Sequence, residues 1–562
     1  MFSLKNILKE LNPPTTEQQN YIVQFLGLTK NYEQIPVIEN VKWSTPTDKI
    51  KILIIFGTDE KPSQSKFILP ILQATLKAID SLPIQISLIP FANISGECLK
   101  FPPDNNFFYS DTHPSSQYIW RWISIRNPDL IIEFKNNQLN QIKFESNLEL
   151  KLNSFKFKYL QVKNPVPGSL VNELPKDTLF FLKQIPTIEI NGEVEKINPE
   201  INYFLPQLTK KDFKKISNQN ALVHKLKRSP IEISKTLSLH YGKDLYPCVY
   251  TNGVAVSGQI RLASLENLNE TTLNKIINQA PSFTEKYLST KFTSQISAPE
   301  IAGVLWADEL SEYTGDHRYQ DLILKAANMF HKRTENLPPF PLTKTFIVED
   351  FFFSSTILGR AFKISKNLEY IEILVSFLLN ANLQQKSGLF WHSRNAHFYW
   401  GRGNGFAAIG LAEALTFIPK NHSSYPQLIN MFQKLMKGML KAQDFEGMWH
   451  QVSNVQGSYS ETTSTCMMGF ALSRGLLMKW ISGSVFENAL SKAWEATNKR
   501  IGYNGSIIDA CTGTGVQTNT IDYFKRPAIT GFDDRAGSMA IWFSTEFQKY
   551  CIWKESQVNL ND

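Results

Sequence analysis

The sequence predicts two domains, an N-terminal α/β domain over residues 1–215 and a C-terminal all-α domain over 216–562 built as a closed ring of helical hairpins. Three observations predict this. The chain has 562 residues, too many for one hydrophobic core. Between Lys49 and about Ile190, short continuous apolar runs alternate with helical stretches. After roughly residue 215 the β-type runs thin out and amphipathic segments follow one another.

In the first domain, Lys51-Ile52-Leu53-Ile54-Ile55-Phe56 leads into Gly57-Thr58-Asp59, Ile84–Ile89 follows a helical stretch, and Pro128–Phe134 is a third buried run. Uninterrupted apolar strands of this kind suit a sheet covered by helices on both faces. In the second domain, helices are expected over 266–279, 299–314, 318–334, 350–365, 367–381, 403–418, 425–442, 461–480, 484–500 and 535–550, divided by turns rich in Gly, Asn and Pro. So many helices exceed a simple bundle, and paired helices bury their inner faces most economically around a common axis. No fixed-length repeat marks an open solenoid.

Composition narrows the function classes. Apolar residues at 42% and charged residues at 20% describe a globular chain able to bury large cores. The net charge of +8 arises from 59 basic and 51 acidic residues without a basic run interleaved with aromatics, so a solvated surface is expected and nucleic acid is not expected as a partner. Five scattered cysteines without a CxxC pair fit reduced thiols. Lysines interrupt the apolar residues of Met1–Glu10, and no stretch approaches the ~20 apolar residues of a membrane span. A cytoplasmic location without membrane association is expected, with a periplasm as the alternative.

The chemistry-bearing residues gather in a few loops. Ser387–Asn395 contains Trp391-His392, and Tyr399–Phe406 contains Trp400, Arg402 and Asn404 among glycines at 401, 403 and 405. A stacking face, a fixed cation and an amide at a glycine-rich helix entry suit a sugar carboxylate, although core aromatics at a helix start would share this composition. Trp449-His450-Gln451 is a similar cluster, with a satisfied core histidine as its alternative. In Phe346–Phe353, Glu349 and Asp350 interrupt an apolar run. A carboxyl among aromatic rings holds its proton to higher pH, which makes Asp350 a candidate general acid; at a helix start the same residue would be a capping group kept ionised by the dipole.

These motifs, in the order Glu349-Asp350-Phe351-Phe352-Phe353, Gly388–His392, Trp400–Gly405, Gly447–Gln451 and Gly513-Thr514-Gly515, resemble glycoside hydrolase families 88 and 105 over roughly residues 295–547. The resemblance implies an (α/α)6-type barrel and hydration of a C4=C5 unsaturated uronic acid at the non-reducing end of an oligosaccharide, with no metal or other cofactor. It implies that Asp350 is the catalytic acid. The family's second aspartate falls near Glu300, which is carried as a catalytic candidate. Glu349, His392, Trp400, Arg402, Asn404, Trp449, His450 and Gln451 are carried as substrate-binding candidates, Arg402 for the carboxylate. The oligosaccharide is the expected partner.

The N-terminal domain is similar, much more loosely, to zinc carboxypeptidase and desuccinylase-like α/β proteins, on Ile52–Phe56, Gly57–Glu60, Phe107–Asp111 and Tyr118–Trp122. His113 is the only histidine before His224, so a metal-free domain is expected. Two other readings stay open at this point. One is a different helical-barrel sugar enzyme, a lyase or an epimerase, with His450 or Tyr399 as base. The other is a non-catalytic carbohydrate-binding or scaffold protein.

Overall fold

A computed structural model describes residues 21–40, 43, 49–58, 84–103, 112–136, 143–146, 160–161, 166–174, 185–192, 219–266, 271–290, 292, 295–333 and 337–559. They divide into two compact units, one of residues 1–227 with 456–459 and one of residues 228–455 with 460–562.

The first unit holds a mixed sheet of β1 (Tyr21–Leu28), β2 (Gln34–Asn40), β3 (Ile50–Phe56), β4 (Ile84–Ile89), β5 (Leu130–Asn136), β6 (Lys143–Ser146), β7 (Leu160–Gln161) and β8 (Thr187–Gly192). Its order is β1-β2-β4-β3-β5-β8-β6-β7. The centre is parallel, β4-β3-β5-β8, and every residue of β3 is buried, as its unbroken apolar run requires. Helix α1 (Pro114–Arg126) starts on a proline at its first turn and ends at Asn127 in the left-handed conformation. Arg126 reaches Glu39 in a buried pair at 3.0 Å. Of the segments that carried the carboxypeptidase-like resemblance, Asp59-Glu60 and Phe107–Asp111 lie outside the described residues.

The second unit is helical. Its main helices are α2 (Pro230–Ser238), α3 (Tyr250–Glu266), α4 (Thr271–Thr290), α5 (Ala307–Thr314), α6 (Arg318–Ala327), α7 (Asp350–Ser365), α8 (Leu368–Asn380), α9 (Gly401–Phe417), α10 (Tyr425–Ala442), α11 (Thr462–Leu477), α12 (Ser484–Arg500) and α13 (Asp534–Asn559). Among the described residues, α3, α5 with the 3-10 turn Ala302–Val304, α7, α9, α11 and α13 follow one another as neighbours, and α13 packs back on α3. The remaining helices lie against these: α2 on α13 and α3, α4 on α3 and α6, α6 on α7, α8 on α7, α10 on α9, and α12 on α11. Strands β9 (Ile507–Cys511) and β10 (Ala528–Gly531) form a small antiparallel pair.

Helices expected over 350–365, 425–442 and 484–500 have those limits. The segment 318–334 is helical only to Ala327, beyond which the chain turns and His331 pairs with Phe340. The segment 299–314 is broken at Gly303, where a Cβ would lie 2.6 Å from the Val249 nitrogen. Helices α2 and α3 were not foreseen. Twelve residues of α3, from Thr251 to Ala263, are buried on all sides, so the helix shows no apolar stripe to read.

A closed circuit of buried charge links the inner helices. Arg261 (α3) meets Glu309 (α5) at 2.7 Å, and Glu309 meets Arg360 (α7) at 3.2 Å. Arg360 pairs with Glu413 (α9), which lies 3.4 Å from Arg474 (α11). Arg474 donates to both oxygens of Glu546 (α13), and Glu546 lies 3.8 Å from Arg261. Sign alternates at every step around the ring. Burial opposes ionisation of Glu309, Glu413 and Glu546, but the facing arginines outweigh it and hold all three below the usual carboxylate range.

Backbone contact sets the spacing between α7 and α9. A Cβ on Gly410 would lie 2.6 Å from the Phe351 carbonyl carbon, one residue after Asp350. Gly410→Ala is therefore expected to cost about 1–3 kcal/mol by overpacking. A chemical-denaturation midpoint below that of wild type, with an unchanged slope, checks this.

Candidate active site

Four of the inner helices, α3, α7, α9 and α13, begin around a cavity of about 650 Å³. Tyr250 and Thr251 come from the start of α3, Asp350 and Phe353 from α7, Arg402 and Phe406 from α9 with Trp400 just before it, and Asp534 and Arg535 from α13. The loops add Ser297–Pro299, Thr343, Glu349, Gly513-Thr514 and Phe532-Asp533. The charge circuit is at the other end of the same helices: Arg360 is ten residues beyond Asp350, about 15 Å along the axis.

Asp350 is 1% exposed. Its Oδ2 accepts hydrogen bonds from the Thr343 nitrogen at 3.1 Å and the Thr343 hydroxyl at 2.7 Å. Its Oδ1 has no hydrogen-bond partner among the described residues. Burial pushes the carboxyl up to about 7, and the neighbouring Glu349 charge adds to it, against the Thr343 hydrogen bonds and Arg333. Burial thus overrides the pull of the helix start toward ionisation. Near pH 7 the group divides between acid and carboxylate, as an acid/base catalyst requires.

Glu349, which precedes the helix, is held from behind. Its Oε1 lies 3.1 Å from His392 Nε2, and His392 Nδ1 lies 2.5 Å from the Tyr523 hydroxyl. The backbone brings these together: the Val348 nitrogen donates to the His392 carbonyl at 3.0 Å. Trp400 is 1% exposed, its indole Nε1 has no hydrogen-bond partner among the described residues, and its ring lies 4.5 Å from that of His392.

Two arginines face the cavity. Arg402 lies with its guanidinium 4.8 Å from the Trp400 ring, and it donates to the carbonyls of Cys511 and Thr512, the latter at 2.9 Å. Arg535 grips both oxygens of Asp533 through Nε and Nη2, and its Nη1 has no hydrogen bond to the described residues and lies against Gly513. Tyr250 stands among them, within electrostatic range of Arg402, Arg535, Glu349 and Asp533, its ring fixed against Phe353 and Phe406. Burial raises its hydroxyl above the usual range, so it stays a donor.

The remaining candidates lie elsewhere. Glu300 caps its own short helix, its Oε2 accepting from the Ser297 nitrogen at 2.9 Å and hydroxyl at 2.6 Å, while Ser297–Pro299 line the cavity. Asn404 is buried and bridges the Phe390 backbone to the Trp400 carbonyl, fastening the two glycine-rich loops. Trp449 donates its indole to the Met439 carbonyl at 2.7 Å, and His450 faces Asp444 at 3.5 Å. Gln451 accepts the Gly401 nitrogen on its carbonyl and donates its amide to the Tyr523 carbonyl. Neither His450 nor Tyr399 is among the cavity-lining residues.

Sequence reasoning did not single out Tyr250, Thr343 or Arg535. Tyr250 lies in the helix that lacked an apolar stripe, and Thr343 stands in an irregular loop. The Asp533-Asp534-Arg535 run at a helix start was the one available signal.

A buried acid with a raised proton affinity is thus set among aromatic faces and arginines where helices of the second unit begin. The chain belongs to Glycosyl Hydrolase Family 88, which matches residues 215–551. Among curated proteins it is similar to the unsaturated rhamnogalacturonyl hydrolase YesR of Bacillus subtilis, 27% identical over 23% of this chain and 36% of that protein. It is also similar to the unsaturated 3S-rhamnoglycuronyl hydrolase of Formosa agariphila, 28% identical over 17% of this chain and 26% of that protein. The matches thus span about a third or less of those relatives' length. Among solved structures, a possible member of the GH105 family from Salmonella enterica aligns with a TM-score of 0.47 at 20% identity, covering 54% of this chain and 83% of that one.

Proposed function

We propose that this protein hydrates the C4=C5 bond of an unsaturated uronic acid at the non-reducing end of an oligosaccharide, with Asp350 as general acid and base. The observation that carries this reading is the unpartnered, buried Oδ1 of Asp350, in a cavity about 650 Å³ in volume, on a carboxyl raised to about 7.

The proton on Oδ1 goes to C4 of the vinyl ether, and positive charge develops at C5 and the ring oxygen. A water molecule adds its oxygen to C5 and returns a proton to Asp350. The C5 hemiketal opens to a ketone, which leaves a hemiacetal at C1, and its collapse to an aldehyde releases the partner sugar as an alcohol. Trp400 and Phe406 supply apolar faces for the ring, and Arg402 and Arg535 supply positive charge for the carboxylate at C6. The exclusion of His450 and Tyr399 from the cavity lining favours this reading over a lyase or epimerase that uses either as base.

We also read the helical unit as an (α/α)6-type barrel; the circuit of six neighbouring helices and the outer helices packed on them support this. Among the described residues no helix is long and apolar enough to cross a membrane. The five free cysteines support a cytoplasmic location.

The test is incubation with a panel of C4=C5 unsaturated uronyl disaccharides while the ultraviolet absorbance of the double bond is followed; no loss on any of them, with the protein folded, overturns the reading. Arg535→Gln is expected to raise KM about 10- to 100-fold, the worth of one charge-assisted hydrogen bond, with a smaller change in kcat. Steady-state kinetics on the best disaccharide checks this.

A further inference from the structure

The chain that precedes Asp350 is pinned at several points. His331 and Phe340 pair through their backbones, the His331 carbonyl accepting the Phe340 nitrogen at 2.9 Å, and their rings stack 4.9 Å apart. Arg333 lies 5.5 Å from the Phe340 ring, and its Nη1 donates to the Pro338 carbonyl at 3.3 Å and the Thr343 carbonyl at 3.1 Å. These contacts deliver Thr343 to the cavity wall, seven residues before Asp350.

Thr343 meets Asp350 with two groups of different character. The backbone nitrogen, 3.1 Å from Oδ2, can only donate. It marks Oδ2 as the accepting oxygen and leaves Oδ1 to carry the acid proton. The hydroxyl has one proton and two acceptors in reach, Asp350 Oδ2 at 2.7 Å and the Thr345 carbonyl at 2.6 Å. It cannot serve both at once. When Asp350 is ionised, Oδ2 is the stronger acceptor, because a charge-assisted hydrogen bond outweighs a neutral one. When Oδ1 is protonated, Oδ2 is a neutral carbonyl oxygen and the Thr345 carbonyl competes on equal terms. The direction of this one hydroxyl therefore follows the charge on Asp350.

We propose that Thr343 is a positioning residue whose hydroxyl turns between the Thr345 carbonyl and Asp350 Oδ2 as Asp350 gains and loses its proton, and that Arg333 holds it within reach of both. This rests on the activity proposed above, in which Asp350 gives a proton to C4 and takes one back from water. In the first transfer the O–H bond of Asp350 breaks, the C4–H bond forms, and the hydroxyl swings onto Oδ2 to steady the new carboxylate. In the second, the proton of water returns to Oδ1 and the hydroxyl swings back to Thr345. No proton leaves Thr343. Besides Arg333, the charged and titratable groups that face Asp350 are Glu349 beside it and, around the cavity, Tyr250, Arg402, Asp533, Asp534 and Arg535. A change at Thr343 alters none of them.

Thr343→Val tests this. It keeps the shape and the backbone hydrogen bond, and it removes only the hydroxyl of an exposed residue, where the fold does not depend on it. The Asp350 carboxylate loses a donor. The alkaline limb of the kcat profile is therefore expected to move upward by about one pH unit, with a plateau rate roughly 3- to 10-fold lower. Thr343→Ser, which keeps the hydroxyl, is expected to restore both. Arg333→Gln is expected to move the limb the same way, and to move it less in the Thr343→Val background, since the clamp acts through the hydroxyl.

The same titration is read without substrate from the infrared band of the protonated carboxyl that Asp350→Asn lacks. Its midpoint is expected to rise in Thr343→Val and to return in Thr343→Ser. A midpoint that does not move in Thr343→Val, or that Thr343→Ser fails to restore, overturns the role of Thr343. Equal shifts from Arg333→Gln in the two backgrounds overturn that of Arg333. Should wild type turn over no disaccharide, the activity reading fails by itself, and the infrared titration still decides the inference.

Discussion

Asp350→Asn is expected to lower kcat by about 10²–10⁴-fold, the range for removal of a general acid, and at the same time to make the folded protein more stable above neutral pH. The isostere keeps both Thr343 hydrogen bonds by placing its amide oxygen where Oδ2 now accepts them. It removes the proton that Oδ1 would deliver. The stability gain follows from linkage. Asp350 is raised from 3.8 to about 7 in the folded state, so the folded protein binds this proton more tightly than the unfolded chain.

Stability from that proton is full below the unfolded value, and it is lost as pH rises through the folded value. Above about pH 7 wild type carries a buried carboxylate at a cost of up to about 4 kcal/mol, which asparagine avoids. Thermal unfolding at pH 8 should place the variant above wild type, and the gap should close as pH falls toward 4. Activity of wild type should decline above about pH 7, as the acid form of Asp350 is lost. A variant that keeps its activity, or a wild-type rate that climbs steadily through pH 8, would remove Asp350 from the acid role.

The second large effect is structural. Arg360→Met breaks the charge circuit at its best-connected point, since Arg360 meets Asp308 at 2.9 Å, Glu309 at 3.2 Å and Glu413 besides, all buried or nearly so. The change leaves buried carboxylates without their counter-charge, at an expected cost of about 3–5 kcal/mol. Glu413→Gln breaks the same link from the other side and is expected to cost less, because the amide still accepts a hydrogen bond. Combining Arg360→Met with Glu413→Leu should cost less than the sum of the two single changes, since each removes the charge the other left stranded. Denaturant titration of wild type, Arg360→Met, Glu413→Leu and the double variant checks the cycle. Additive costs would mean that the circuit does not behave as a coupled unit. Buried pairs are weakly screened, so the effect should persist in high salt.

Much of this protein is determined by its sequence alone. Apolar runs such as Ile52–Phe56 mark buried strands because a strand covered on both faces has no polar side to show, and outer helices such as 425–442 declare themselves by one apolar face. Asp350 stood out because aromatic neighbours on both sides of an acid announce a dry setting, and the glycine-rich Trp400–Gly405 run marked a helix entry at a site. Tertiary structure decided what local pattern could not contain. It set burial above the helix dipole at Asp350, and it engaged Glu300, Asn404 and Trp449 in hydrogen bonds within the protein.

It also brought Tyr250, Thr343, Tyr523 and Arg535 to one site from segments nearly 300 residues apart, and it closed a ring of six alternating charges that appear as isolated residues in six separate helices. The physical reason is common to all of these. Secondary structure follows from neighbours three or four residues away, whereas proton affinity, ion pairing and ligand specificity depend on which distant groups share a region without water.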